Sequence, residues 1–151
     1  MKNFSLLIIL FITSQINAQL IKHTFAEVEE LQKTEQRPVM VFVTADWCNY
    51  CQLTKVKTFS DKKVEKIINE KFYFVELNQN EKSTIQFMGK EYGPVINGYK
   101  SGNHQLADAL TRNGGENLYP TTIVYTAENE LLYKKQELLK VDDILNLREK
   151  L

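Results

Sequence analysis

Cysteine is scarce. The 151 residues hold two, Cys48 and Cys51, too few for a disulfide-dense scaffold or a four-cysteine zinc site. Glycine and proline are sparse as well, at six and three residues, which excludes collagen-like and proline-rich chains. Neither sign of charge dominates, since nineteen Lys+Arg balance nineteen Asp+Glu. Neutralising phosphates needs surplus cations, so nucleic acid is not an expected partner. No apolar run approaches the ~20 residues of a membrane-spanning helix. What is present, 43% hydrophobic and 25% charged residues, is ordinary for one soluble domain.

The first eighteen residues read as an address. Lys2 supplies a positive start, Phe4 to Ile12 form an apolar run, and a short polar stretch leads to the small Ala18. That order is expected of a secretory signal peptide over residues 1–18, cleaved after Ala18. A buried N-terminal helix is the alternative. No cysteine follows the run, so a lipid anchor there is unsupported. Cleavage removes Lys2, leaving eighteen basic against nineteen acidic groups, near −1. The expected mature chain is 19–151, periplasmic or secreted, without a stable membrane span. An exported chain would meet an oxidising compartment, where a disulfide persists.

Helix and strand signals then alternate. Phe25, Val28 and Leu31 mark one face of a helix over 25–36. Thr24 and Glu27 form a capping-box pattern, and Arg37-Pro38 ends the helix. Val39 to Thr44 (VMVFVT) is a continuous apolar run, as in a strand covered on both faces. Cys48 to Phe59 reads as helix. Asp61 caps another through Asn69, and Phe72 to Leu77 is a second strand. Thr84 to Met88 and Glu91-Tyr92 suggest a hairpin, with Gly89 supplying a positive φ. Glycines at 93, 98 and 102 suggest loop. Asn103 is a candidate cap for a helix over 104–112, ended by Gly114-Gly115. Strands at 121–126 and 130–135 flank a turn at Glu128-Asn129, and a last helix runs 141–150. The expected class is an α/β layer sandwich.

The chemistry sits in Trp47-Cys48-Asn49-Tyr50-Cys51. A C-x-x-C where a buried strand turns into a helix places the first thiol at the helix N-terminus. Backbone N–H groups and the macrodipole there stabilise a thiolate. The thiolate is the nucleophile of disulfide exchange, and Cys51 stacks one turn along. A static structural disulfide, half of a zinc site with His23 or His104, and a two-thiolate copper(I) site remain open at this point.

The strand VMVFVTADWCNYC, followed far downstream by YPTTIVY, resembles the thioredoxin superfamily. More narrowly it is similar to secreted bacterial thioredoxin-like proteins, including the C-terminal domain of DsbD-type periplasmic reductases. The resemblance covers about residues 24–151 and implies a three-layer α/β/α sandwich with a central mixed sheet. It also implies an insertion at about 79–102, before the proline strand, with Pro120 lying 69 positions after Cys51. Residue by residue it implies that Cys48 is the attacking nucleophile, Cys51 the resolving thiol and Trp47 a shielding indole. Pro120 resembles a cis-proline, and Tyr119, Pro120 and Thr121 form the substrate-binding segment. A trans proline opening an edge strand is the alternative. The implied activity is thiol–disulfide exchange on protein or peptide substrates, with an unidentified electron donor or acceptor. No cofactor or metal is required, because the electrons reside on the two sulfurs. A redox-inert binding adaptor or copper(I) carrier of the same shape is the competing function.

Departures from the family pattern carry their own expectations. Asn49-Tyr50 replaces the Gly-Pro of cytoplasmic thioredoxins. Phe42 stands six residues before Cys48, where the family carries a buried aspartate. Glu76 is the candidate replacement: a buried glutamate near the thiol, its pKa raised, shuttling the resolving proton. A solvent-facing or edge glutamate is the alternative. Glu137 replaces a glycine common at the family's substrate groove. Phe87, Tyr92 and Tyr99 on the insertion suit either peptide contact or a satellite core. His104, near a helix start, reads as a surface residue.

Overall fold

The computed structural model describes residues 19–97 and 100–150. The leader reading over 1–18 lies outside the described residues, as does Tyr99.

The run Val39–Thr44 forms β1, buried at every position. It pairs in parallel with β2 (Tyr73–Asn78) and antiparallel with β9 (Thr121–Tyr125). Strand β10 (Leu131–Lys135) adds antiparallel to β9, giving a mixed sheet in the order β10-β9-β1-β2. Side chains alternate across a strand, so β1 feeds two cores. Met40 and Phe42 face one that holds Cys48, Cys51, Phe59, Val64, Ile68, Phe74 and Ile144. Val39, Val41 and Val43 face the other, with Val28, Leu106, Ala107 and Ile123. Helix α1 (Phe25–Leu31) and α4 (Gln105–Thr111) cover the second face. Helices α2 (Asn49–Thr54), α3 (Lys62–Lys71) and α5 (Val141–Arg148) cover the first. The result is the three-layer α/β/α sandwich with a mixed central sheet.

Local signals explain the element ends. Thr24 caps α1 in a full capping box with Glu27, and the helix stops at Leu31, five residues short of expectation. Asp61 accepts from the N–H groups of Lys63 and Val64 and starts α3. Helix α2 runs into one wide π-helical turn, Lys55–Phe59, a device frequent at functional sites. The turn delivers Phe59 edge-on to Phe42 and Phe74, with ring centroids at 4.9 and 5.0 Å.

Before the proline strand, the hairpin expected around Gly89 forms from β3 (Ile85–Phe87) and β4 (Lys90–Tyr92), and a second hairpin, β5 (Pro94–Asn97) with β6 (Lys100–His104), replaces the loop expected from the glycines there. The first turns at Met88-Gly89, both at positive φ, the backbone of a type I′ turn. In the second, Gly102 lets the strands approach: a Cβ there would lie 3.2 Å from Val95 Cβ. Phe87 meets Phe25 and Tyr125 edge-on at 5.3 and 5.7 Å. Phe87 and Tyr92 both pack on the second core, so these two aromatics are satellite-core residues rather than free peptide contacts.

His104 is a second correction. It is fully buried and is itself the N-cap of α4 in place of Asn103: its Nδ1 accepts from the Leu106 N–H. A neutral imidazole offers an acceptor that a cation lacks, and Nε2 lies 3.1 Å from the Ser83 carbonyl. Gly114-Gly115 turn a third hairpin, β7 (Arg112–Asn113) with β8 (Glu116–Asn117), instead of directly ending α4.

Both sheet edges are managed. Along β2, Lys22 bridges to Phe74 and the His23 N–H donates to the Phe74 carbonyl at 2.8 Å. Asn69 pins the same segment through the Ile21 N–H and the Gln19 carbonyl. Along β10 stand Lys134 and Lys135, with a register shift between Leu131 and Tyr133.

Candidate active site

Strand β1 ends at Thr44, and Ala45-Asp46-Trp47 turns the chain into α2. Asp46 fixes this turn by accepting from Asn78 Nδ2 at 2.6 Å and Asn80 Nδ2 at 3.3 Å. Asn78 ends β2 and Asn80 lies at the start of the inserted region, so the end of the strand and the chain just after it brace the approach to the cysteines. Sequence reading passed over Asp46; its signal was an aspartate at the turn of a strand into a helix.

Cys48 is the N-cap of α2. Its Sγ accepts from the Cys51 N–H at 3.0 Å. A disulfide joins the two cysteines, with Cα atoms 5.2 Å apart. Cys48 is 4% exposed and Cys51 fully buried, both within the first core. The tight i, i+3 bridge turns the first sulfur back toward its partner rather than out to solvent. An N–H aimed at Cys48 Sγ, on the first turn of a helix, is the arrangement that favours a thiolate after reduction.

Trp47 is largely exposed and meets Tyr119 edge-on, centroids 5.6 Å apart. Asn49 and Tyr50 project outward on the first turn of α2. The Tyr119–Pro120 peptide bond is cis. Tyr119 is half-buried beside the disulfide core, and burial pushes its hydroxyl above the ordinary tyrosine range. The Thr121 side chain is fully buried and its hydroxyl donates to the Leu118 carbonyl at 2.7 Å, on β9, an inner strand of the sheet.

Glu76 sits on β2 opposite Phe42, and the partner position on β9 is Thr122. Register neighbours point to one face, so Thr122, Phe42 and Glu76 form a row beneath the cysteine helix. Glu76 is half-buried and ion-paired with both Lys22 and Lys55. Burial alone would raise its pKa; hydrogen bonds and charge from Lys22 and Lys55 outweigh that and leave it below the ordinary range. The expected raised pKa is therefore corrected. An anion clamped by two ammonium groups does not carry the resolving proton near neutral pH. Buried Thr44 and Thr122 have hydroxyls without a hydrogen-bond partner.

The Glu76 clamp predicts a pH signature. The folded pKa lies below the unfolded value of about 4.3. The group therefore adds stability above that value and loses it as pH falls through the folded value. Glu76→Gln is expected to cost roughly 1–2 kcal/mol at pH 7, the scale of a partly buried charged hydrogen bond. The gap to the parent should shrink toward zero below about pH 4 in urea melts. An equal gap at both pH values would remove the clamp from the account.

Among the described residues, no group of three or more His, Cys, Asp and Glu is placed to hold a metal ion, and no helix is long and apolar enough to cross a membrane.

A mixed sheet between two helical layers, with a C-x-x-C disulfide at the first turn after the central strand and a cis-proline opening the neighbouring one, defines a dithiol–disulfide protein class. The chain belongs to the thioredoxin-like family, whose model matches residues 21–127. It is 30% identical over 89 residues to "Thiol:disulfide interchange protein DsbD" of Campylobacter jejuni strain RM1221, a match covering 56% of this chain. The match spans only 16% of that relative's length. Among solved structures it is similar to a DsbH oxidoreductase, with TM-score 0.61, 16% identity, and 87% and 84% of the two chains covered. The reduced C-terminal domain of Neisseria meningitidis DsbD gives TM-score 0.52 at 16% identity, covering 86% of this chain and 98% of that one. At these identities the structural likeness establishes the fold.

Proposed function

We propose that this protein is a thiol–disulfide oxidoreductase that reduces or exchanges disulfides in exported proteins. The observation that carries the reading is the Cys51 N–H held 3.0 Å from Cys48 Sγ at the start of α2. Cys48 thiolate attacks one sulfur of a substrate disulfide and forms a mixed disulfide; the other substrate sulfur leaves as a thiolate and takes a proton from water. Cys51 then gives up its proton to solvent, attacks Cys48 Sγ and expels the second substrate thiolate, which takes a proton from water. Two electrons pass to the substrate and the Cys48–Cys51 bond closes. A separate dithiol donor must reduce the protein again; its identity lies outside this chain.

Trp47 precedes Cys48 and meets Tyr119 edge-on, and the Tyr119–Pro120 backbone is the proposed strand-pairing surface for an extended substrate. The signal-peptide reading of residues 1–18 supports action outside the cytoplasm. The names of the relatives, a disulfide interchange protein and an oxidoreductase, agree with exchange chemistry.

Alkylation tests the thiolate directly. In the reduced protein, iodoacetamide is expected to modify Cys48 first, with a pH midpoint well below the ordinary thiol value of about 8.5. A Cys48 that stays sealed, or titrates at or above that value, ends this reading.

A further inference from the structure

The chain around the Tyr119–Pro120 segment is held at two points. The Leu118 N–H donates at 3.2 Å to the carbonyl of Thr111, the last residue of α4. The Leu118 carbonyl accepts from the Thr121 hydroxyl at 2.7 Å. Both threonines are fully buried. Between these pins, the N–H and carbonyl of Tyr119 have no hydrogen-bond partner among the described residues, and Pro120 has no N–H to offer. Tyr119 is the residue whose backbone is left free to pair with an incoming strand.

One side chain touches both pins. Gln136 lies just after β10 and is half-buried. Its Nε2 donates to the Thr111 carbonyl at 2.7 Å and reaches the Thr121 hydroxyl oxygen at 3.4 Å. Its Oε1 accepts from Asn113 Nδ2, on β7, at 3.0 Å. Chemistry fixes the direction of the amide, because a carbonyl only accepts and the Thr121 hydrogen is already given to Leu118. None of these hydrogen bonds goes to the cysteine helix. The amide instead ties the end of α4, the β7-β8 hairpin and the start of β9 to the chain leaving β10.

We infer that Gln136 is a positioning residue for the substrate-pairing segment: through Thr111 and Thr121 it holds the Tyr119 N–H and carbonyl where a substrate backbone meets them. The inference rests on the exchange reading above and divides that site into two tasks. Reactivity is set at Cys48, and recognition of an extended backbone is set from the loop after β10. A segment fixed before binding costs less to order when the substrate arrives. A small disulfide has no backbone to pair and does not sense Gln136.

The test follows reduction of three oxidants by the reduced mature chain. One is a short peptide joined to a second copy of itself by a single disulfide. Another is the same peptide N-methylated beside its cysteine, so that it cannot donate there. The third is 5,5′-dithiobis(2-nitrobenzoate). The parent protein is expected to reduce the plain peptide about tenfold faster than the methylated one, equivalent to about 1.4 kcal/mol. Gln136→Met, similar in shape but without the amide, should bring that ratio near one. Its rate with the small reagent and its Cys48 alkylation midpoint should match the parent's. Gln136→Glu keeps an acceptor for Asn113 but, ionised, has no hydrogen for Thr111, and should lose the preference as fully. Each ratio is taken within one sample, so the folded fraction cancels, and a variant that does not fold leaves the other to decide. Equal peptide rates in the parent, or a preference kept by either variant, overturns the role of Gln136 while exchange stands. A small-reagent rate that falls as far as the plain-peptide rate shows a general structural role and overturns it too. Failure of the parent with all three oxidants overturns the exchange reading, and this inference with it.

Discussion

Cys48→Ser is expected to abolish insulin reduction, and Cys51→Ser to accumulate a mixed disulfide with the substrate. The asymmetry follows from the positions of the sulfurs. Cys48 caps the helix and receives the Cys51 N–H, so in the proposed exchange it is the sulfur stabilised as an anion and the one that attacks. Cys51 is fully buried in the core beneath it, reachable by Cys48 but not by a protein substrate. Without Cys48 no first bond forms. Without Cys51 the first bond forms and nothing resolves it, so the adduct survives on a non-reducing gel and its partner can be sequenced. Full insulin turnover by Cys48→Ser would separate the activity from this site. Parent protein with no turnover at all would leave an inert adaptor of the same shape.

Phe42→Ala should cost about 3–5 kcal/mol, the usual range for emptying a buried aromatic site. Phe42 is fully buried at the middle of the central strand. It meets Phe59 edge-on, Phe59 meets Phe74, and an aromatic pair of this geometry adds roughly 0.5–1.5 kcal/mol beyond area alone. Removing the ring opens a void between the sheet and the cysteine helix. A domain of this size is stable by only about 5–15 kcal/mol, so the loss is a large share of the whole. A denaturant midpoint unchanged from the parent would show that the cluster does not set stability.

The same position shows how far the sequence could be read. Phe42 stood out as an aromatic where the family carries an aspartate, and β1 itself was legible because a strand buried on both faces is apolar throughout. Thr24, Asp61 and the C-x-x-C were legible because caps and helix-start thiols act within a few residues. Glu76 was misread for the opposite reason. Its environment is set by Lys22, 54 positions away, and by Lys55, and no local pattern announces a clamp built from three separate segments. His104 was misread because its burial is set by the hairpins packed around it, and no local pattern announces that. The hairpin of β5 and β6 was hidden because Gly102 reads as loop unless Val95 is known to lie against it.

The guarding of the sheet's two flanks has a further consequence. One flank is roofed by residues 19–23 and the other studded with lysines beside a kink, and such devices are how β proteins refuse stray strands. Seeding, fibre growth and chain exchange through those margins are thereby discouraged. On the proposed function, a molecule working beside unfolded, half-oxidised chains would thereby be kept from being templated by its own clientele.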